Sequence, residues 1–181
     1  MEITDEKNIK QASDEIQLAV FKLGGGEFAL DIMNIMEIIR PQKVTKVPNT
    51  PQFVDGIITL RGTVVPVIDM RRRFKLEAPE GEARKAKVLV VKVGERLIGA
   101  MVDEVTEVIY LGKEDIADPP ETVKGIGSEF LSGVGKVGGR LVIILDMEKL
   151  LTSRETLQLE SIEDASEGNP EAEVCVSGKE E

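Results

Sequence analysis

Two aspartates, Asp69 and Asp146, each follow an apolar strand-like run and precede a helical turn. Paired carboxylates can do acid/base or metal work, which would suit a small nucleotide- or metal-dependent hydrolase. The order strand, Asp, helix is also that of an N-cap, whose carboxylate accepts the free amide protons of the first turn, and nothing else demands catalysis. Gly133-Val134-Gly135-Lys136-Val137-Gly138 matches GxGxxG. A dinucleotide site needs that loop to open a helix, and here it precedes the strand-like RLVIILD, so a glycine-rich hairpin is expected. Arg71-Arg72-Arg73 could meet phosphate, but without interleaved aromatics it reads as a solvated helix start. Arg61 stands in the turn Leu60-Arg61-Gly62. A guanidinium fixed there could offer its donor fork to a carboxylate or carbonyl of a partner, or form an internal salt bridge to Glu37.

Composition removes whole classes of chemistry. The chain has 181 residues, 33 acidic and 23 basic, and no histidine. A Ser-His-Asp triad, a histidine metal site and a histidine phosphorelay are therefore excluded. The single cysteine, Cys175, rules out disulfide scaffolds and zinc clusters. No tryptophan and one tyrosine leave base-stacking platforms poorly supplied. Cofactors are expected to be none. The formal charge of −10 is concentrated at the ends, because residues 1–15 and 155–181 are strongly acidic while 16–154 is nearly neutral. Within that body, 40–87 is basic and 88–130 acidic, a polarity that suits oriented protein docking better than nucleic-acid binding. The N-terminus lacks the pattern of a signal peptide, and apolar runs such as 141–145 are far shorter than a bilayer requires. A cytoplasmic protein without membrane insertion is expected.

The elements that would position these residues recur. A shift of 70 lays 20–39 on 90–109, repeating Val20, Lys22, Gly24, Glu37 and Ile39 as Val90, Lys92, Gly94, Glu107 and Ile109. A shift of 77 lays 56–74 on 133–151, repeating Gly56, Gly62, Val65, Asp69 and Met70 as Gly133, Gly139, Val142, Asp146 and Met147. Two related modules are expected, roughly 16–80 and 87–151. Their short β-branched runs, separated by glycine turns, predict an all-β fold of two small barrels. Pro66 marks an edge or a bulge. Three stretches read as helical: 32–39, 70–75 and 147–164, the last broken by a capping box from Thr152 to Glu155. In 32–39, Ile32, Ile35, Met36 and Ile39 fall at helical spacing with Glu37 off the stripe, while Met33 and Ile38 add apolar surface for a groove between the modules. An acidic flexible segment at 1–15 and an acidic disordered tail at 161–181 complete the organisation.

QLAVFKLGGGEFALDIMNIMEIIRP, VPNTPQFVDGIITLRGTVVPVIDMRRRF, GAMVDEVTEVI and FLSGVGKVGGRLVIILDMEKLL, in that order, resemble the CheW-type chemotaxis coupling proteins. The resemblance covers about 16–160 and is most specific from Asn49 to Arg71. It implies duplicated five-stranded β-barrels of SH3/OB-like type packed on a shared core, with short helices, a C-terminal helix and room for strand exchange. It implies a non-catalytic adaptor joining the signalling tip of methyl-accepting chemoreceptors to the regulatory domain of a CheA-type histidine kinase, recruited to membrane receptor arrays. Carried over residue by residue, Arg61 matches the arginine of the LRG motif, Glu37 the acid after the apolar segment, and Gly56 the turn before the LRG strand. Ile32, Ile35 and Val105 match the apolar positions lining an inter-barrel groove.

Overall fold

The computed structural model describes residues 15–77, 83–121, 128–151 and 155. The expected flexible N-terminus, the acidic tail, the Thr152 cap and the helix beyond 151 lie outside or almost wholly outside these residues. Among the described residues, eleven strands run β1 (Glu15–Leu23), β2 (Gly26–Asp31), β3 (Ile35–Ile39), β4 (Val54–Leu60), β5 (Thr63–Asp69), β6 (Lys87–Val93), β7 (Arg96–Val102), β8 (Glu104–Gly112), β9 (Ile116–Ala117), β10 (Leu131–Val137) and β11 (Arg140–Leu145). Short helices follow β5 (Met70–Phe74) and β11 (Met147–Leu150).

The strands form two sheets, ordered β8-β1-β2-β11-β10-β9 and β3-β6-β7-β5-β4. In the first, β8 and β9 are one stretch of chain broken by a single 3-10 turn, Lys113–Asp115, so the sheet returns upon itself. In the second, the chain beyond β3 reaches β4, where Thr45 and Ile57 exchange two backbone hydrogen bonds of 2.8 Å. Each sheet is thus a five-stranded barrel, which removes its open edges. Each barrel draws one hairpin from the other half of the duplication: β1–β2 pairs with β8 and β11, and β6–β7 pairs with β3 and β5. Registers repeat too. Ile39 opposes Val88 and Glu37 opposes Val90, as Ile109 opposes Leu18 and Glu107 opposes Val20, with a bulge at the same step. The chain crosses between barrels twice. The first crossing is the turn Ile32–Asn34, capped by Asp31. The second is the buried Asp103, which accepts from Gly24 N at 2.8 Å and pairs with Arg71 at 3.1 Å.

Alternation along the strands explains three apolar clusters. Leu18, Val20, Val142 and Ile144 fill the first barrel, while Ile58, Val65 and Val67 fill the second. The opposite faces of the same strands, including Phe21, Ile68, Leu89, Ala100 and Leu145, meet in a third and larger cluster between the barrels. All five phenylalanines belong to or pack against that shared core, with Phe21, Phe28, Phe74 and Phe130 in successive ring contact. Burying each such ring contributes about 1.5–3 kcal/mol. Pro66 departs from expectation, since β5 is an interior strand. Parallel pairing with β7 begins only at Val67, and the bulge lies on the partner strand between Val54 and Gly56, so the missing N–H of Pro66 breaks no parallel ladder.

Candidate functional site

The turn joining β4 to β5 consists of Arg61 (φ +51°) and Gly62 (φ +83°). Two positive angles make the primed turn that suits a twisted hairpin, and they favour Asn or Gly at the first position. The equivalent turn between β10 and β11 is Gly138 (φ +53°) and Gly139 (φ +83°). Arg61 therefore holds a left-handed conformation that its counterpart reaches without a Cβ, at a cost of about 1 kcal/mol. Its side chain is 81% exposed, and Nη2 meets Oε2 of Glu37 at 3.3 Å. Since β3 and β4 are the two margins of the sheet, this ion pair spans the seam where the second barrel closes. At such exposure the pair contributes at most about 1 kcal/mol to stability. The internal salt bridge to Glu37 forms, and most of the guanidinium still faces solvent.

The first barrel has a related pair. Glu107, the counterpart of Glu37, accepts a hydrogen bond from Arg140, which also reaches Glu27 at 2.8 Å. Arg140 is held more firmly protonated than usual, first by the hydrogen bond to Glu107, with both carboxylates adding attraction and partial desolvation opposing.

Segment 32–39 is not the expected helix. Ile32–Asn34 forms one 3-10 turn and Ile35–Ile39 is strand β3, paired with β6. The spacing Ile32, Ile35, Met36, Ile39 fits a helix locally, but β-branched residues and a waiting strand edge favour extended chain. The faces change accordingly. Ile35, Glu37 and Ile39 are half-buried, whereas Met36 and Ile38 join Met33 in facing solvent. Ile35 and Val105, counterparts under the duplication, both pack against the shared core while remaining half-exposed. Ile32, also half-exposed, lies on the crossing between barrels. Of the five residues picked from the sequence, Glu37 and Arg61 are in direct contact, and Ile35 and Val105 share one core.

Sequence reasoning missed the outward face of β8, where Val108 repeats Ile38 and the sole tyrosine, Tyr110, is 64% exposed. Tyr110 accepts a hydrogen bond from Gln17 Nε2 at 2.6 Å. It lines a cavity of about 350 Å³ with Glu15, Ile16, Gln17, Asp31 and Met33. An exposed tyrosine in a chain so poor in aromatics was the available signal.

The remaining candidates have structural work. Asp69 accepts from the amides of Arg71 and Arg72, and Asp146 accepts from that of Glu148, so both are N-caps. Among the described residues, no three acidic or cysteine side chains converge as metal ligands would. Gly133 and Gly135 lie within β10, where a Cβ would press within 3 Å of Ile116 or Leu111, and Gly138-Gly139 makes the hairpin turn. The arginine triple is not a solvated helix start: Arg71 pairs with Asp103, Arg72 with Asp55 and Asp69, and Arg73 with Glu155. Asp69 is the helix's own cap, but Asp103, Asp55 and Glu155 come from other elements, so local sequence could not reveal them.

The profile of the CheW-like domain family matches residues 17–155. The chain is 36% identical over 146 residues to the chemotaxis protein CheW of Klebsiella aerogenes, covering 81% of this chain and 87% of that one. It is 38% identical over 144 residues to CheW of Helicobacter pylori, covering 78% and 86%. Among solved structures it is similar to the scaffolding protein TtCheW of Thermoanaerobacter tengcongensis, with a TM-score of 0.71, 32% identity, and 77% and 90% of the two chains covered. With its carboxylates committed to caps and its glycine motif to a hairpin, and with these relatives across most of its length, the chain belongs to the CheW-like family of non-catalytic chemotaxis scaffolds.

Proposed function

We propose that this chain couples methyl-accepting chemoreceptors to a CheA-type histidine kinase, with residues 16–160 as the working unit. Ile32, Ile35 and Val105 receive the receptor's helical-hairpin tip in a groove between the barrels, a helix-in-groove mode of recognition. Arg61 and Glu37, at the margin of the second barrel, contact the partner through the guanidinium surface that their own ion pair leaves open. The barrel ends pair with the similarly built regulatory domain of the kinase, and heterologous contacts of that kind can close into rings. Arraying would strengthen individually modest interfaces. The chain works in the cytoplasm and reaches the membrane only through its receptors, and neither nucleic acid nor a cofactor takes part.

The observation that carries this reading is the pair Ile35 and Val105. Both are apolar, half-exposed, duplicated, and seated on the one core that both barrels share. A side chain there can bind a helix and report on the relative placement of the barrels. The test titrates the protein against a receptor signalling-tip hairpin and, separately, against the kinase regulatory domain. Ile35→Ala and Val105→Ala are expected to weaken the first titration at least about tenfold, the consequence of roughly 1.4 kcal/mol of lost contact, and to leave the second unchanged. Unaltered receptor affinity in both variants would sink the groove assignment.

A further inference from the structure

We propose that the cationic strip Arg40, Lys43 and Lys46 on the second barrel is the intramolecular docking site of the chain's own acidic segment 156–173. The strip runs from the end of β3 to the point where Thr45 bridges to Ile57, and all three side chains are exposed. Among the described residues they make no ion pair, whereas Arg71, Arg72, Arg73 and Arg140 all hold carboxylates. The stretch that carries them is anchored at Val44 and Thr45. Thr45 makes two hydrogen bonds to Ile57, and Val44 packs into the core of the second barrel. The three positive charges therefore flank an anchored stretch, and among the described residues no carboxylate pairs with them.

The acidic segment starts just past Glu155, which a short series of contacts links to that stretch. Arg73 holds Glu155 with two hydrogen bonds, of 3.0 and 3.1 Å. Next to it Arg72 pairs with Asp55, and the following residue, Gly56, lies directly beneath Val44 and Thr45. Residues 156–173 carry six acids and no base, and four of the six fall within about a dozen residues of Glu155. At about 3.4 Å per extended residue, that length reaches the strip without strain. Tethering sets an effective concentration on the order of millimolar, enough for contacts too weak to hold a free peptide. The family match stops at 155, so the segment lies beyond the matched domain. An acidic partner seeking the strip competes with it.

Cys175 is the sole cysteine, so one nitroxide label on the full-length chain reports where the end of the acidic segment lies. In nitrogen-15 spectra the amides of Arg40, Lys43 and Lys46 are expected to lose most of their intensity relative to the reduced label, while those of Lys113–Asp115 do not. The loss should vanish at about 1 M salt, where the screening length is about 3 Å, and in the exposed-surface double variant Lys43→Glu, Lys46→Glu. Absence of selective broadening at the strip, or broadening that survives salt, overturns the proposal. So does broadening that appears only when label and isotope are on different molecules, since a second copy would then be the occupant.

Discussion

Arg73 donates hydrogen bonds of 3.1 and 2.7 Å to the backbone carbonyl of Leu150, the residue that takes its own place in the second half of the duplication. Its guanidinium lies between the rings of Phe53 and Phe130, 4.5 and 4.7 Å from their centroids, and these two phenylalanines are likewise counterparts. Arg73 thus occupies the pseudo-symmetry axis. It is a single residue that both halves share, tying the helix of one barrel to that of the other.

Replacing Arg73 should loosen the junction rather than either barrel. The guanidinium is only 12% exposed on its side chain, and Arg73→Lys forfeits the bidentate bond to Glu155 and the stacking on two rings. A loss of about 2–4 kcal/mol in urea unfolding is expected. Glu155→Gln, which keeps the sandwich and the Leu150 carbonyl bonds, should cost less than half as much. Equal losses in the two variants would show that the ion pair, not the shared axis position, stabilises the contact.

Arg61 separates stability from coupling. In Arg61→Gly the turn acquires the residue that Gly138 already supplies at the same φ, so relief of backbone strain offsets lost packing and added unfolded-state freedom. Thermal unfolding is expected to shift by less than about 1 kcal/mol, while receptor-dependent kinase stimulation is lost. Arg61→Ala, which keeps a Cβ in the left-handed region, should lose stimulation equally and melt slightly earlier. Stimulation at the native level in both variants removes Arg61 from the site.

Gly56 is a test of barrel closure. Its φ is +150°, and a Cβ placed there would lie 2.3 Å from the Thr45 carbonyl oxygen and 2.5 Å from a methyl of Val44. Gly56→Ala must break the Thr45–Ile57 bridge, with a loss above about 3 kcal/mol or failure to fold. Gly25→Ala has positive φ but open space around it, so about 1 kcal/mol is expected. Circular-dichroism melts of the pair give the comparison, and similar losses would argue against closure through Thr45.

The capping aspartates should behave as caps. Asp146→Ala is expected to cost about 1 kcal/mol, and Asp69→Ala somewhat more, because Asp69 is buried and also meets Arg72 at 3.4 Å. Receptor and kinase affinity should follow stability in both. Saturable heat on mixing the native chain with nucleotide and divalent metal, abolished in these variants, would instead revive a catalytic role.

Met36 faces solvent on the outer side of β3, 60% exposed. Met36→Glu should leave the melting temperature unchanged. If the receptor tip extends beyond Ile35 onto this face, its affinity falls at least about tenfold, worth 1.4 kcal/mol. Unchanged affinity confines the contact to the inward residues of β3.

What could be read from the chain alone were the features written in neighbouring residues. The glycine-rich 133–138 pointed to a hairpin, whose turn falls at Gly138-Gly139, Asp69 and Asp146 announced helix caps, and shifts of 70 and 77 exposed the duplication, because turns and caps depend on a few contiguous side chains. Pairing does not. That β1–β2 leaves its own half to join β8 and β11 depends on strand edges more than 80 residues away. The same distance dependence turned 32–39 from helix to strand and gave each arginine of the triple its acid. A guanidinium's partner and a strand's neighbour are settled by what the folded chain brings alongside, and only the assembled barrels show it.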